Sequence, residues 1–524
     1  MTRLGNFNKK KLKKLNRKTF SFFISSILYL INFTFKKLQC SFNICMRRLL
    51  YENPCRMIYK LRILLTVIFT ISITHGDAQT KSSVDVWLTN PDRSALFSHQ
   101  HQKIDFGSTV DNLPVIIVND KQTYQSVVGF GFALTGGSAM HIIHMDAASR
   151  SALLHEVFDT IGGNIGVSYL RISIGSSDLN DHVFSYDDLS TGETDTTMEK
   201  FDLGPDRMDV IPVLKEILQI NPSIKILGSP WSPPAWMKTN HDTRGGRLMP
   251  QYYTAYAKYF EKYIREMKAA GITIDAITVQ NEPLHPGNNP SLLLTAPEEK
   301  DFVKNNLGPA FKAGGIKTKI LIYDHNADRP DYPITILDDP QAAKYIDGSA
   351  FHLYGGDITA LNYVHDAHPD KNIYFTEQMV VQFRDTARMI ISAPVSRIII
   401  GATRNWCRNV LEWNLAAGPD FKPYTDRGGC SMCQGAVTIN GNAYSKNIAY
   451  YSMAHVSKFV RPGSVRMESN DIDSLPNVAF AIPGGKRVLI VANDSNNSQS
   501  FLIRYQGKSA LATLEGNAVG TYVW

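Results

Sequence analysis

Cysteine is scarce in this chain, with six residues in 524. The closely spaced Cys430 and Cys433 could supply half of a zinc site, but no second cysteine pair follows residue 56 to complete one. A local disulfide is therefore the expected state of this pair, with a zinc half-site as the alternative. Cys407 stands in an apolar stretch and is expected to be a buried thiol. The other three are Cys40, Cys45 and Cys55.

Acidic residues are almost absent from the first 56 residues, which carry 13 Lys and Arg against one acid, Glu52. The net charge of +7 comes from this segment, because the remaining 468 residues hold 42 basic and 47 acidic side chains. The excess of positive charge therefore belongs to the head of the chain. This distribution argues against a nucleic-acid partner for the rest of the protein.

The head contains two apolar segments, 19–35 and 61–74. The second follows Lys60 and ends in small and polar residues, the pattern of a secretory signal peptide. We expect translation to start at Met57 or Met46, residues 57–79 to be the signal peptide, and 1–56 to be an upstream extension missing from the mature protein. A membrane anchor at 19–35 is the alternative. The expected product is secreted, periplasmic or at the cell surface, with no membrane span after cleavage.

Repeats and low-complexity segments are also absent, and from about residue 127 to 417 short apolar runs alternate with amphipathic stretches. The stretches 206–220, 251–270 and 298–313 have apolar residues at helical spacing. Eight such units over some 300 residues predict an α/β fold, a (β/α)8 TIM barrel. The predicted strands are 127–134, 168–174, 225–229, 276–280, 319–323, 348–353, 372–376 and 409–413.

The flanks of this region read as antiparallel β structure, with alternating apolar and polar residues at 83–125 and 464–524. Neither flank is long enough for a robust domain, so we predict that both contribute to one β-sandwich beside the barrel. The predicted organisation is then 80–125 for the first part of the sandwich, 126–455 for the catalytic barrel, and 456–524 for the second part.

Two carboxylates stand where predicted strands end: Glu282 follows the fourth strand and Glu377 ends the seventh. The carboxyl ends of barrel strands converge on the active site. Hydrolysis of an acetal needs one carboxyl group to protonate the leaving oxygen and one to attack the anomeric carbon. A separation of about 5–5.5 Å gives retention and about 6.5–9.5 Å inversion. The sequence predicts that these two face each other across the barrel mouth.

Other polar and aromatic residues end strands in the same register. Trp231, Trp236 and Trp413 suit a sugar, because a pyranose ring has an apolar face that stacks on an aromatic ring. Each residue also has a structural explanation: Asp178 could cap a loop, Arg171 could join an ion pair, and the tryptophans could only pack. Their shared position at strand ends favours a binding site.

These motifs together resemble glycoside hydrolase family 30, the glucosylceramidase family, over roughly residues 83–524. The block 229–240, Ser-Pro-Trp-Ser-Pro-Pro-Ala-Trp-Met-Lys-Thr-Asn, is the most specific part. The other matching motifs are Gly129-Phe130-Gly131, Leu170-Arg171-Ile172-Ser173 with Asp178, Gln280-Asn281-Glu282-Pro283, His352-Leu353-Tyr354, Phe375-Thr376-Glu377 and Trp413-Asn414-Leu415.

The resemblance implies a retaining double displacement, with Glu377 as nucleophile and Glu282 as acid/base, and with the Glu377 charge raising the pKa of Glu282. It also implies that Asn281 holds the sugar 2-hydroxyl and that Tyr354 hydrogen-bonds the nucleophile. The family needs no metal and no cofactor. Further substrate-binding residues implied by the resemblance are Asp178, Trp231 and Trp413 around the non-reducing sugar, and Arg171 and His352 beside the carboxylates.

One departure from the family pattern lies after the first barrel strand, where glucosylceramidases have Thr-Asp-Ala and this chain has Gly136 in place of the acid. The expected substrate is a β-glucoside, as for a glucosylceramidase, and the missing acid weakens the inference of a ceramide aglycone. An endo-β-1,6-glucanase of the same family is the alternative, with a β-glucan as substrate. A carbohydrate-binding protein without activity is the non-enzymatic alternative, although such proteins usually lose one carboxylate.

Overall fold

The computed structural model describes residues 83–107, 112–382 and 388–524. The predicted extension 1–56 and signal peptide 57–79 lie outside these residues. Residues 81–524 form one unit that holds both the barrel and the sandwich. Within the described ranges, none of the helices combines the length and the apolarity that crossing a membrane requires.

Among the described residues, four strands of the sandwich precede the barrel. The long strand of this part alternates buried and exposed residues over its first half, as expected for a sheet with one face covered. The strands are β1 (Ser83–Thr89), β2 (Ser98–His99), β3 (Ile104–Asp105) and β4 (Val115–Ser126).

Eight parallel strands then close into a barrel in chain order, which confirms the predicted fold. The first two strands approach closely, since a Cβ on Gly131 would lie 1.9 Å from the Tyr169 carbonyl oxygen. Only glycine fits there. The barrel strands are β5 (Gly129–Ala133), β6 (Tyr169–Ser173), β7 (Lys225–Ser229), β8 (Ala276–Thr278), β9 (Lys319–Ala327), β10 (Ile346–Gly356), β11 (Asn372–Glu377) and β12 (Cys407–Asn414).

Helices cover the outside of the barrel, and the three amphipathic stretches predicted from the sequence are helical. Two π-helical segments, Val303–Leu307 and Val395–Ile400, join helices end to end. The helices are α1 (Gly136–His144), α2 (Ala147–Phe158), α3 (Val210–Ile220), α4 (Tyr253–Ala269), α5 (Ala296–Phe302), α6 (Gly308–Ala313), α7 (Asp331–Leu337), α8 (Pro340–Ala343), α9 (Ala360–Ala367), α10 (Ser392–Pro394), α11 (Gly401–Arg404) and α12 (Ile448–Ser457).

After the barrel the chain forms a small three-stranded sheet and returns to the sandwich. There the strand Val519–Val523 pairs with β1, and β4 lies between the strands Val465–Ser469 and Gln499–Tyr505. The two flanks of the barrel therefore build one β-sandwich, as predicted. The remaining strands are β13 (Ala416–Ala417), β14 (Val437–Asn440), β15 (Ala443–Lys446), β16 (Val465–Ser469), β17 (Asn477–Ala481), β18 (Arg487–Ala492), β19 (Gln499–Tyr505), β20 (Lys508–Leu514) and β21 (Val519–Val523).

Strand ends at the rim of the barrel differ from the predicted ones in a way that shapes the site. The strand β8 stops at Thr278, two residues earlier than predicted, because the chain then turns to present Glu282. The strands β9 and β10 run three to four residues further than predicted, and register shifts between them let His352 pair with Asn326.

Candidate active site

The two predicted carboxylates meet at the carboxyl end of the barrel. Glu377 is the last residue of β11, and Glu282 lies four residues beyond the end of β8. One carboxylate oxygen of each lies within 4.8 Å of the other, together with a ring nitrogen of His352. Both glutamates are buried, with 8% and 5% of their surface exposed. This separation is close to that of retaining glycosidases and shorter than that of inverting ones.

The backbone at Glu282 is strained. Its φ of 43° lies in the left-handed region, which non-glycine residues rarely adopt, and Asp324 does the same with a φ of 59°. The two are joined, because the Glu282 N–H donates to the Asp324 carbonyl oxygen over 3.0 Å. Strained residues of this kind collect where the surroundings fix a side chain for function.

Arg171 connects the nucleophile candidate to the rest of the site. It is completely buried on β6, and its guanidinium donates to Glu377 over 2.6 Å and to Asn281 over 2.7 Å. Since arginine can only donate, Asn281 must turn its oxygen towards Arg171. The Asn281 amide nitrogen has no hydrogen-bond partner among the described residues, so it is free to donate to a ligand.

Asp324 is the residue of this site that the sequence reasoning missed. One of its carboxylate oxygens accepts from Arg171 over 2.7 Å, and the other accepts from His352 over 3.1 Å. The hydroxyls of Ser229, Thr278 and Thr376 also donate to it. Burial works against its charge, but Arg171 and these donors hold the pKa of Asp324 well below its ordinary value. Its place at a strand end was the available signal.

His352 lies between the two glutamates. Its Nδ1 is 3.2 Å from a Glu282 oxygen and 4.0 Å from a Glu377 oxygen. Burial alone would lower the pKa of His352, but the surrounding carboxylates raise it to about 9. The ring is therefore protonated near neutral pH in the absence of a ligand.

The charge of His352 shifts the pKa of Glu282 in the direction opposite to the expected one. The sequence reasoning assigned a raised value to Glu282, supplied by the Glu377 charge. Burial does favour the neutral acid, but the hydrogen bond and charge of His352 outweigh it and lower the pKa of Glu282. Burial raises the pKa of Glu377, against the charges of His352 and Arg171. Glu282 and His352 are thus coupled through a 3.2 Å hydrogen bond along which a proton can pass.

Tyr354 stands on the solvent side of Glu377. Its hydroxyl donates to Glu377 over 3.0 Å, as the family resemblance implies. The same oxygen accepts the Met379 N–H over 3.0 Å, which fixes it in place. Tyr354 is 42% exposed as a residue, so it forms part of the rim.

Asp178, Trp231 and Trp413 gather on the opposite side of the mouth. The two indole rings lie 5.4 Å apart, and the Arg171 guanidinium sits 4.8 Å from the Trp231 ring centre. With 2% and 4% of their surfaces exposed, the tryptophans present little ring surface to solvent. Burial, with the charges of the two glutamates, raises the pKa of Asp178 to about 8, so its carboxyl can both donate and accept.

Trp236, the third tryptophan considered for a sugar platform, does not join this pair. Its ring packs edge-on against Tyr252 at 4.9 Å, and its indole N–H donates to the Asp187 carbonyl oxygen over 3.0 Å. It packs in the main hydrophobic cluster, whereas Trp231 and Trp413 pack in a separate small cluster. A role for Trp236 in sugar binding stays a prediction.

The position that carries an acid in glucosylceramidases has no room for a side chain here. A Cβ on Gly136 would lie 1.9 Å from the Asn180 side-chain nitrogen. Asn180 is itself held in place, since its side-chain oxygen accepts the Ser177 N–H over 2.9 Å. The packing around Gly136 therefore matches the absence of an acidic residue at this position of the sequence.

Among the described residues, Glu282, His352 and Glu377 form a cluster whose donor atoms lie within 4.8 Å of one another, close enough to hold a metal ion. Both carboxylates already have partners within the protein, since the Arg171 guanidinium contacts Glu377 at 2.6 Å and His352 contacts Glu282 at 3.2 Å.

The predicted disulfide is present. Cys430 and Cys433 are bonded, and Cys407 is a buried free thiol. The zinc alternative for this pair is thereby ruled out, since a disulfide sulfur is not a thiolate ligand.

Comparison with known proteins agrees with this geometry. Residues 127–460 match the glycosyl hydrolase family 30 TIM-barrel domain, and residues 463–522 match the glycosyl hydrolase family 30 beta sandwich domain. An endo-1,6-beta-D-glucanase of Neurospora crassa is 36% identical over 391 residues, which cover 71% of this chain and 80% of the relative. The lysosomal acid glucosylceramidase of Mus musculus is 28% identical over 441 residues, covering 78% and 83%.

A solved structure, the endo-beta1,6-glucanase BT3312, has the same architecture. It superimposes with a TM-score of 0.77 and 34% sequence identity, over 84% of this chain and 99% of that one.

Proposed function

The chain belongs to glycosyl hydrolase family 30, and from that membership we propose that it is a retaining β-1,6-glucanase in which Glu377 is the nucleophile and Glu282 the acid/base. It is a β-glycosidase by family; the substrate and the residue roles are the proposal. The observation that supports these roles most directly is the approach of the two carboxylates to within 4.8 Å at the barrel mouth.

In the first step a Glu377 oxygen attacks the anomeric carbon and the bond to the leaving oxygen breaks. Arg171 donates to one Glu377 oxygen over 2.6 Å and Tyr354 to the other over 3.0 Å, so the attacking oxygen is oriented by Tyr354. In the second step a water attacks the same carbon and releases Glu377. The proton of that water passes to Glu282.

The leaving oxygen takes its proton from Glu282, and His352 supplies it to Glu282. The two groups share a hydrogen bond of 3.2 Å, and Asp324 holds the other ring nitrogen of His352 at 3.1 Å. When a sugar excludes water and Glu377 loses its charge to the new bond, fewer anions remain to stabilise the histidinium. The shared proton then moves towards Glu282.

Two observations favour a β-1,6-glucan over glucosylceramide. Relatives named endo-1,6-β-glucanase are 33–36% identical to this chain, and relatives named glucosylceramidase are 27–29% identical. Asn180 also fills the space next to Gly136 that the glucosylceramidase acid would need. Glucosylceramide is the second candidate, supported by the family membership of its hydrolases.

We also propose that the enzyme acts outside the cytosol. The Cys430–Cys433 disulfide supports this, because such bonds persist in oxidising compartments. Isolation of the native protein and mass spectrometry of its N-terminus would test the proposal. An N-terminus near residue 80 supports export; a peptide from residues 1–45 in the native protein contradicts cleavage.

The substrate is tested by measuring kcat/KM for reducing-end release from β-1,6-linked glucan and for glucose release from glucosylceramide. We expect the glucan to be preferred by roughly 10-fold or more. The matched control is Glu377→Gln, which should lower both activities roughly 1,000-fold while the fold is kept. Preference for glucosylceramide would overturn the substrate proposal. If Glu377→Gln were as active as wild type, Glu377 could not be the nucleophile. If neither the wild type nor the variant were active, the protein would be a carbohydrate-binding protein rather than an enzyme.

A further inference from the structure

The disulfide lies in a loop that closes one wall of the sugar site. We define residues 425–433 as the disulfide loop, which connects β13 to β14. Cys433 is 4% exposed and packs in one cluster with Trp231 and Trp413. Its Sγ also contacts the Met379 sulfur at 3.4 Å, in the segment that follows Glu377.

The loop is hydrogen-bonded to the backbone of Asp178. The Thr425 N–H donates to the Asp178 carbonyl oxygen over 2.9 Å, and the Thr425 hydroxyl donates to the same oxygen over 3.4 Å. The packing around this contact is tight. A Cβ on Gly429 would lie 2.3 Å from the Thr425 carbonyl oxygen and 2.9 Å from the Asp178 carbonyl oxygen.

The same loop reaches the segment that follows Glu282. The Asn289 side-chain nitrogen donates to the Asp426 carboxylate over 2.9 Å and to its carbonyl oxygen over 3.1 Å. The Asn414 amide nitrogen donates to the Cys433 carbonyl oxygen over 3.3 Å at the end of β12. The loop therefore contacts segments that follow four different strands, although it carries no catalytic carboxylate itself.

We propose that the Cys430–Cys433 disulfide is a positioning element of the sugar site, which holds the loop against the backbone of Asp178 and against Trp231 and Trp413, and so fixes where Asp178 presents its carboxyl to the sugar hydroxyls. The bond joins residues three apart and makes the backbone of the loop rigid. Without the disulfide, the loop that holds the Asp178 backbone is free to shift, and the position of the Asp178 carboxyl shifts with it. This inference rests on the proposed role of Asp178 in sugar binding.

The effect should appear in KM. An interaction present with both the bound substrate and the transition state contributes to binding without changing kcat. The double variant Cys430→Ser/Cys433→Ser should raise KM for a β-1,6-linked gluco-oligosaccharide roughly fivefold to tenfold, with kcat within about twofold. Gly429→Ala should raise KM in the same way with the disulfide intact, because its methyl group forces the loop away from Asp178.

Two controls separate this role from simple stabilisation. Cys407→Ala removes the other described cysteine, which is buried away from the loop, and should leave KM unchanged. Asp178→Asn combined with Cys430→Ser/Cys433→Ser should raise KM no further than Asp178→Asn alone, since residues that act through one contact are not additive.

The outcomes are distinct. A lower melting temperature with KM unchanged in both the serine double variant and Gly429→Ala overturns the inference, as do additive effects with Asp178→Asn. Wild-type protein without activity on the oligosaccharide overturns the proposed function instead. If the serine variant fails to fold, the Gly429→Ala measurement decides, and an unchanged KM there counts against the inference.

Discussion

In the proposed mechanism, the hydrogen bond between His352 and Glu282 determines how Glu282 can work. Because the pKa of His352 is raised to about 9 and that of Glu282 is lowered, we propose that the two side chains act together as the acid. Glu282 is the member that faces the leaving oxygen in the proposed mechanism. Its contribution must therefore depend on how much help the leaving group needs.

Replacing Glu282 by Ala tests this dependence. A natural glycoside leaves as an alkoxide unless it is protonated, so its kcat/KM should fall by roughly 100-fold to 10,000-fold. A β-glucoside with an acidic aryl alcohol as leaving group needs no proton, and its glycosylation rate should fall by less than about tenfold. The measurement is the rate at which the aryl alcohol is released under single-turnover conditions. Equal losses for both substrates would contradict the acid role of Glu282.

At the scale of single residues, the sequence predicted those site residues that can be recognised from their position relative to a predicted strand. Glu282 and Glu377 could be selected because both stand at or just after the ends of predicted barrel strands. Asp324 follows the predicted fifth strand as well, but its importance comes from five donors on five other strands, and only the closed barrel brings these together. The pKa of Glu282 was predicted in the wrong direction for the same reason. It depends on a 3.2 Å distance to His352, across the strand that separates them.

At the scale of the secondary-structure elements, strand β12 carries a buried carboxyl group, that of Glu412, which the proposed mechanism does not use. Glu412 is 1% exposed and accepts the Ser452 hydroxyl of α12 over 2.6 Å, while its other oxygen has no partner among the described residues. Burial raises the pKa of Glu412 to about 8 from an ordinary value of 4.5. The strand therefore holds a neutral acid at pH 6.

Stability should fall as pH rises through this window. Between 4.5 and about 8 the unfolded chain loses this proton and the folded chain keeps it. The free energy of unfolding then drops by about 1.4 kcal/mol per pH unit from this group. Glu412→Gln removes that slope, so it should stabilise the protein at pH 8 relative to wild type and have little effect at pH 4.5.

Chemical denaturation at several pH values measures this difference in slope. The matched control is Glu199→Gln, which replaces an exposed glutamate and should leave the pH dependence of wild type unchanged. A Glu412→Gln protein with the wild-type slope would show that Glu412 is ionised in the folded state.

The sequence predicted these elements well where periodicity decides them. All eight barrel strands were expected, and β7 has the predicted bounds, Lys225–Ser229. The extension of β9 and β10 was not expected, since it depends on register shifts between neighbouring strands. The π-helical segments were not expected either, because the same apolar spacing fits an uninterrupted helix.

At the scale of the whole molecule, the sandwich is built from segments on both sides of the barrel, because β1 and β4 precede the barrel and pair with strands that follow it. Composition and alternation predicted that the two flanks belong together. They could not predict that β4 would lie parallel to β19 and antiparallel to β16, since pairing order depends on which edges are exposed after the barrel has closed.

The account as a whole depends on one chemical event, in which both carboxylates act on the same anomeric carbon through a covalent intermediate. The direct test is proton NMR of the first anomer released, using whichever of the glucan and glucosylceramide the protein hydrolyses faster. Double displacement predicts the β-anomer first, with the α-anomer growing only as the sugar mutarotates. Release of the α-anomer first would mean inversion, and Glu377 could not be the nucleophile.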